Sequence, residues 1–400
     1  MAGSVEKCFG KRTAAPIGRQ SPASRVRFVP QPAPVRQAIS EAQRPDRLAG
    51  LDLLRLLAAL AVVLFHFGYA GNARGTMQTS FPLIAGPAQY GFLGVDLFFL
   101  ISGFVIAASA HGRTWREFAL SRVIRLYPAY VACMTATALV LLMLAQGSPA
   151  VSAKLWLANL TMVAPAFGQP FMDGAYWSIV IEIIFYGWVA ILVAAGIFER
   201  RLMTILTIWL AIAFINEAFL QSRAIRLGLC TEYAALFASG ILFQRILSGE
   251  RRGIAWLLLG FAFGLGAMHA FENERIFARL YQDTISFPVL AMLHVGIYAL
   301  FLAGVTASRW IPASPSVLAA GALTYPLYLV HQQTGYLLID TLAPSTGAAT
   351  ALVLSLAILI AFAYAVSTWL EPAARRSLRS VLGRLVPTDR PTEARLAHSR

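Results

Sequence analysis

Two ionisable residues, Arg55 and His66, lie in the first long apolar segment, LDLLRLLAALAVVLFHFGYA over residues 51–70. In a helix their spacing corresponds to just over three turns, so both side chains lie on nearly one face, roughly 16 Å apart along the axis. Asp52 shares that face. Ionisable side chains inside an apolar segment of membrane-spanning length are costly, and they usually mark a polar path or a reaction site. The segment therefore predicts a site within a membrane.

A histidine with carboxylate neighbours suits general-base or nucleophilic chemistry near neutral pH, because imidazole titrates there and an acid can orient it or stabilise its charge. Asp96 and Glu182 are carboxylates at a depth similar to that of His66, each in a different apolar segment. We therefore predict His66, Asp96 and Glu182 as catalytic residues. The pattern leaves open whether His66 is a base or a transient carrier of the transferred group.

Three arginines form a second candidate group, at the opposite level of the membrane. Arg122 and Arg125 are three residues apart just before the third apolar segment, and Arg55 lies one turn inside the first. Guanidinium groups bind phosphate through paired N–H donors, so these arginines predict a site for a phosphate-rich donor molecule. For Arg55, a structural ion pair with Asp52 at i and i+3 is the alternative.

A few more polar residues lie at the level of His66. Ser178 precedes Glu182 by four residues and so shares its helix face, while Trp177 is typical of a membrane interface. His331 follows Tyr328 by three residues in a later segment. We predict these residues, apart from Glu182, as possible acceptor-side residues, although a lone membrane histidine often only joins two helices. The cysteine spacing predicts no metal site.

The elements that carry these residues are apolar segments. Of the 400 residues, 58% are hydrophobic and only 13% are charged, whereas a soluble protein carries about a quarter charged residues. We predict an all-α polytopic membrane protein with about ten transmembrane helices. Arginine and lysine concentrate in alternate loops, which places both termini in the cytoplasm and the long loop 147–175 outside. The predicted spans are 51–70, 89–110, 126–146, 176–197, 202–220, 229–247, 253–270, 287–306, 317–338 and 350–370.

Both ends of the chain are basic, and the net charge is +14. Residues 1–47 are rich in Pro, Arg, Gln and Ser, which predicts a disordered cytoplasmic leader. Residues 373–400 predict a basic cytoplasmic tail. Nucleic-acid binding would also explain basic ends, but attraction to anionic lipid needs no further partner, so we expect no nucleic acid.

Several motifs, in a fixed order, resemble those of the membrane-bound acyltransferase-3 family, which includes bacterial O-acetyltransferases of surface polysaccharide, lipopolysaccharide and nodulation factors. They run from Arg47 to Pro372, so the resemblance covers almost all of a predicted transmembrane domain at 48–372. The motifs are RLAGLDLLRLLAALAVVLFH from Arg47, GVDLFFLISGFVIA from Gly94, SRVIRLYPAY from Ser121, YWSIVIEIIFY from Tyr176, LTYPLYLVHQ from Leu323, and Glu371-Pro372.

The resemblance implies an O-acyltransferase of the bacterial inner membrane. Its donor would be cytoplasmic acyl-CoA, usually acetyl-CoA, with no permanently bound cofactor. Its acceptor would be a hydroxyl of a carbohydrate or glycolipid, as in polysaccharide O-acetylation. The family's essential arginine and histidine correspond to Arg55 and His66. Leu56 departs from the family's usual glycine, which leaves the acyl chain length open.

We predict that the chain moves an acyl, usually acetyl, group from acyl-CoA to a carbohydrate-type acceptor within the bilayer. One alternative is a transporter or flippase that uses the same buried charges as a relay. A second is a non-catalytic membrane partner of another enzyme, and a third keeps the chemistry but takes a small-molecule acceptor. The sequence identifies neither the acceptor nor the oligomeric state.

Overall fold

The computed structural model describes residues 48–144, 151–250 and 253–385, and within these ranges it contains helices and no β-strand. The all-α prediction is therefore confirmed. The predicted leader at 1–47 lies outside the described residues, as do residues 386–400 of the predicted tail.

A helix occurs at each of the ten predicted segments, and an eleventh follows them in the described part of the chain. Their bounds are α1 Ala49–Phe65, α2 Gly94–Ala110, α3 Trp115–Leu144, α4 Trp177–Ala194, α5 Leu202–Ile215, α6 Ala234–Leu247, α7 Gly253–Tyr281, α8 Phe287–Ala307, α9 Pro315–Thr346, α10 Ala348–Ala365 and α11 Glu371–Leu385. Shorter helices connect them at Pro82–Ala88, Ala153–Leu160 and Arg223–Gly228.

Eight helical stretches of the described ranges are long and apolar enough to cross a membrane. These confirm a multi-pass membrane protein. The two predicted spans outside this group correspond to α6, which has only 14 residues, and α9, whose centre carries His331 and two glutamines. The eight stretches are Ala49–Ala73, Gly91–Ala110, Trp115–Leu144, Gly174–Ala194, Leu202–Leu220, Gly253–Tyr281, Phe287–Ala307 and Ala348–Leu382.

Helix α3 begins at Trp115, well before the predicted start of its span at residue 126. A capping box explains this early start, since the Thr114 hydroxyl accepts the Glu117 N–H while the Glu117 carboxylate accepts the Thr114 N–H. Hydropathy detects only the apolar part of a helix, so the charged first turns were missed. The same limit applies to α7, which continues past residue 270 to Tyr281.

Small residues let the helices that carry the site approach closely. A Cβ atom added at Gly103 of α2 would lie 2.1 Å from the Phe237 carbonyl oxygen of α6. A Cβ atom at Gly321 of α9 would lie 2.5 Å from Cγ of Asp52 on α1. Backbone contact through small residues is the usual way in which membrane helices associate. The close approach at Gly321 places α9 directly against the start of α1.

Candidate functional site

A cavity of about 100 Å³, room for several water molecules, opens among α1, α2, α3, α4 and α9. It brings together residues that the sequence assigned to two separate levels. Arg55 and Arg125, predicted for the donor, line the same cavity as Glu182, Ser178 and Tyr328, predicted for catalysis or the acceptor. The cavity therefore extends from the arginines to the residues expected on the other side.

Arg55, at the arginine end of the cavity, forms the ion pair with Asp52 that the sequence offered as an alternative to phosphate binding. Nη1 of Arg55 lies 3.1 Å from Oδ1 of Asp52, and the Asp52 side chain is almost wholly buried. Arg125 lines the same end, and its carbonyl oxygen accepts a hydrogen bond of 3.3 Å from Nη2 of Arg375 on α11. Helix α11 is thereby attached to α3 next to the cavity.

Arg122 does not line the cavity but lies beside its wall. Its guanidinium carbon is 5.8 Å from the ring centroid of Tyr186, which does line the cavity. Nε of Arg122 donates to the Ser121 hydroxyl at 3.2 Å, whereas Nη1 is buried and has no hydrogen-bond partner among the described residues. A buried guanidinium N–H without an acceptor is unfavourable. An anionic group of a ligand would satisfy it.

Glu182 binds hydroxyl groups rather than a histidine. Its carboxylate accepts a hydrogen bond from Ser102 at 3.0 Å and another from Tyr186. Asp96 lies in the first turn of α2, 7% exposed. Among the described residues, neither carboxylate has a hydrogen bond with His66, so the structure does not bring the predicted catalytic residues together as one hydrogen-bonded group.

Ser178 and Tyr328 form the far wall of the cavity. Their hydroxyl oxygens are 2.7 Å apart, and both also approach the Ala175 carbonyl oxygen. This contact joins α4 to α9. Trp177 lies outside the cavity lining, packs against Tyr233 with the ring centroids 5.6 Å apart, and is 38% exposed.

His66 begins a π-helical turn, His66–Ala70, at the end of α1. Such turns are rare and frequently occur at functional sites. Nδ1 of His66 is 2.8 Å from the Tyr336 hydroxyl, and its ring centroid is 5.0 Å from that of His331. Two residues of α9 therefore contact the His66 imidazole, and Phe65 of α1 is also close, with the ring centroids 5.1 Å apart.

His331 lies between Tyr328 and His66. It is fully buried, and its ring centroid is 5.4 Å from the Tyr328 ring. Nδ1 of His331 lies 2.7 Å from the Tyr328 carbonyl oxygen, while Nε2 is buried without a hydrogen-bond partner in the described part of the chain. His331 thus contacts both the cavity wall, through Tyr328, and His66.

Sequence reasoning missed three residues of the site. Tyr186 follows Glu182 by four residues, so the spacing used for Ser178 would have found it. Tyr336 gave no local signal. Asp173 lies just before the span that begins at Gly174, and its two carboxylate oxygens accept the N–H groups of Ala175 and of Gln333 in α9. Burial raises the pKa of Asp173 to about 7, although these two hydrogen bonds oppose the shift.

No group of three or more His, Cys, Asp or Glu residues in the described ranges could hold a metal ion. The site offers arginines, hydroxyls, a carboxylate and two imidazoles. These groups can bind an anionic molecule and accept a proton from a hydroxyl.

The comparison with known families agrees with this chemistry. A family model described as an acyltransferase domain matches residues 48–371, and the chain belongs to this acyltransferase-3 family. A protein of Bacillus subtilis (strain 168) named "Putative peptidoglycan O-acetyltransferase YrhL" is 28% identical over 159 residues, covering 35% of this chain and 22% of that protein. The chain thus spans about a fifth of that relative's length. No solved structure matches.

Proposed function

We propose that the chain is an O-acyltransferase of the bacterial inner membrane that moves an acyl group, usually acetyl, from cytoplasmic acyl-CoA to a sugar hydroxyl. The observation that carries this proposal is the cavity in which Arg55 and Arg125 share a lining with Ser178, Glu182 and Tyr328. Membership of an acyltransferase family favours acyl transfer over transport as the function of the same buried charges.

The donor would bind at the arginine end of the cavity. Coenzyme A carries several phosphate groups, and paired guanidinium N–H groups bind phosphate well. Arg55 and Arg125 line the cavity, and Arg122 contributes a buried N–H group that has no acceptor among the residues the structure describes. Positive residues favour the cytoplasmic side, which is where acyl-CoA occurs.

The acceptor hydroxyl would react at His66. In one route His66 takes the hydroxyl proton while the hydroxyl oxygen attacks the thioester carbon. The C–O bond of the ester then forms, the C–S bond breaks, and the sulfur of CoA leaves with the proton. In the other route a nitrogen of His66 first attacks the thioester carbon, so a C–N bond forms, the C–S bond breaks and CoA leaves as the thiol. The acceptor hydroxyl then attacks the acyl carbon, the C–N bond breaks, and the hydroxyl proton passes to the released imidazole. A radiolabelled acyl-enzyme trapped with acetyl-CoA alone distinguishes the two routes.

In this proposal Asp96 and Glu182 do not form hydrogen bonds with His66. Glu182 would hold the hydroxyls of Ser102 and Tyr186 at the cavity wall, whereas Asp96 lies outside the cavity lining. The acceptor side would include Ser178, which bonds Tyr328 next to the two histidines.

The carbohydrate-type acceptor is supported by the name of one relative. The Bacillus subtilis protein is named for O-acetylation of peptidoglycan, which is a polymer of sugars. A sugar hydroxyl at the outer face would reach the level of the histidines, while the donor binds at the arginines on the cytoplasmic side.

The orientation can be tested with single cysteines in a cysteine-free chain. Ala166 and Arg200 are exposed in loops that the charge distribution places on opposite sides of the membrane. An impermeant thiol reagent applied to intact cells should label a cysteine at position 166 and reach position 200 only after lysis. The reverse pattern would remove the cytoplasmic donor from the proposal.

The function itself is tested by mass spectrometry of cell-surface glycans from cells with and without the gene. We expect loss of O-acyl groups without the gene, recovery with the wild-type gene, and no recovery with His66→Ala. His294→Ala is the matched control, because His294 is also a buried membrane histidine, and its hydrogen bond among the described residues is to the Phe263 carbonyl oxygen at 3.2 Å. Unchanged glycan acylation, with acyl transfer to a small molecule instead, would overturn the carbohydrate acceptor.

A further inference from the structure

The two imidazoles of His66 and His331 face each other inside the membrane domain, and their hydrogen bonds differ. The ring centroids are 5.0 Å apart with the ring planes at 56°. At this separation the rings can be joined by one N–H···N hydrogen bond when their nitrogen-bearing edges meet.

The partner of His331 determines where its proton lies. Nδ1 of His331 is 2.7 Å from the Tyr328 carbonyl oxygen, and a carbonyl oxygen can only accept a hydrogen bond. Nδ1 therefore carries the proton in the neutral ring, and Nε2 carries a lone pair. That Nε2 atom is buried and has no hydrogen-bond partner among the described residues.

A buried acceptor without a donor is unfavourable, and such groups in native proteins usually have a catalytic reason or an unseen partner. His66 is a titratable side chain beside it, and its ring lies closer to the His331 ring than the Tyr328 ring does. Nδ1 of His66 lies 2.8 Å from the Tyr336 hydroxyl, so Nε2 is the His66 nitrogen that is left to bond Nε2 of His331 when the two ring edges meet.

We propose that His331 is the positioning residue of His66, and that its Nε2 lone pair accepts the Nε2–H of His66 during transfer. This inference rests on the proposed function. The acceptor hydroxyl gives its proton to Nδ1 of His66, at the place that the Tyr336 hydroxyl occupies. The new positive charge on His66 is shared with His331 through the N–H···N bond. As the C–S bond of the thioester breaks, the proton passes from His66 to the sulfur of CoA.

In this arrangement His331 has the role that sequence reasoning gave to Asp96 or Glu182. A neutral imidazole replaces a carboxylate as the hydrogen-bond acceptor behind the catalytic histidine. In an apolar interior this avoids burying a second full charge, which is costly.

Two amide substitutions separate this role from a structural one. Asparagine places its amide near Nδ1 of the original ring, so His331→Asn keeps a donor for the Tyr328 carbonyl oxygen but loses the Nε2 acceptor. Glutamine reaches the Nε2 position, so His331→Gln keeps an acceptor for His66 but loses the bond to Tyr328. The two roles therefore predict opposite orders of activity.

The experiment measures acetyl transfer from radiolabelled acetyl-CoA by the full chain in membrane vesicles, together with its melting temperature after purification. We expect His331→Asn to lower the turnover by about a hundredfold or more at a nearly unchanged melting temperature, and His331→Gln to retain activity within about tenfold. His294→Asn and His294→Gln are the matched controls and should transfer at the wild-type rate.

The opposite order, with His331→Asn active and His331→Gln impaired, would show a structural role and overturn the inference, and so would equal loss or equal retention in both variants. If the variants do not fold, ¹⁵N NMR of the wild-type chain with labelled histidine decides the question. An unprotonated Nε2 on His331 supports the inference, and a protonated one contradicts it. Absence of transfer by the wild-type chain would instead contradict the proposed function.

Discussion

The contact between Gly321 and Asp52 gives a sharp test of how α9 shapes the arginine end of the cavity. In Gly321→Ala the new Cβ atom would lie 2.5 Å from Cγ and 2.6 Å from both Cβ and Oδ1 of Asp52. Carbon atoms in contact prefer about 3.5–4.0 Å, so Asp52 or the two helices must move apart by roughly 1 Å. Because the Cβ atom of Asp52 is also too close, a simple rotation of its side chain does not relieve the contact.

The expected cost follows from two opposing effects. Overpacking costs about 1–3 kcal/mol, whereas replacing glycine by alanine inside a helix gains about 1 kcal/mol. We therefore expect the free energy of unfolding to fall by about 0–2 kcal/mol. The Asp52–Arg55 pair moves as well, and weakening one charge-assisted hydrogen bond of Arg55 to the donor costs about 1.5–3 kcal/mol. The KM for acetyl-CoA should then rise roughly tenfold to a hundredfold.

The assay combines thermal unfolding of the purified chain with the KM for acetyl-CoA. Gly296→Ala is the matched control, since Gly296 is also in a membrane helix and its added Cβ atom would meet nothing within 4 Å. The control should leave the KM unchanged and should not lower the melting temperature. A Gly321→Ala chain with wild-type KM would refute the reasoning that α9 positions Arg55 through Asp52.

Three further predictions concern single side chains. His66→Ala and His66→Gln should insert normally but lose acyl transfer, and activity within about tenfold of wild type would refute a chemical role for His66. Arg55→Lys should raise the KM for acyl-CoA in a folded chain, because lysine keeps the charge but loses the paired N–H groups; unchanged donor kinetics would remove Arg55 from the donor site. Asp173, with its pKa raised to about 7, binds a proton in the folded chain that the unfolded chain releases above about pH 4. The contribution of Asp173 to the free energy of unfolding therefore falls as the pH rises from about 4 to about 7. To test this, the melting temperature of Asp173→Asn is subtracted from that of the wild type at each pH. This difference should be larger at about pH 5 than at about pH 8.

The all-α membrane fold could be predicted because hydropathy and helical spacing are local properties of the sequence. The Asp52–Arg55 pair was predictable for the same reason, since residues three apart meet on one helix face. The helix ends were less predictable where charged turns extend α3 outside its apolar part. Helix α9 contains His331 and glutamines at its centre, and it supplies Tyr328, His331 and Tyr336 to the site.

The pairing of distant residues could not be read from local patterns. His66 meets Tyr336 and His331, and Ser178 meets Tyr328, because α9 contacts both the end of α1 and the start of α4. Depth in the membrane suggested that carboxylates would surround His66. The depth of a residue in the membrane does not tell which side of its helix faces a neighbouring helix. That orientation decides which side chains meet. Glu182 points to the cavity instead and bonds hydroxyls there.

The central claim is that an acyl group passes from a cytoplasmic donor to an acceptor on the other side through one membrane domain. The most direct measurement uses sealed vesicles of known orientation that contain the chain and extracted surface glycan, with radiolabelled acetyl-CoA supplied on one side only. We predict label on the glycan when acetyl-CoA is on the cytoplasmic face, and no label with His66→Ala or with the donor on the opposite face. Transfer that requires the donor on the outer face, or that continues in His66→Ala, would contradict the account.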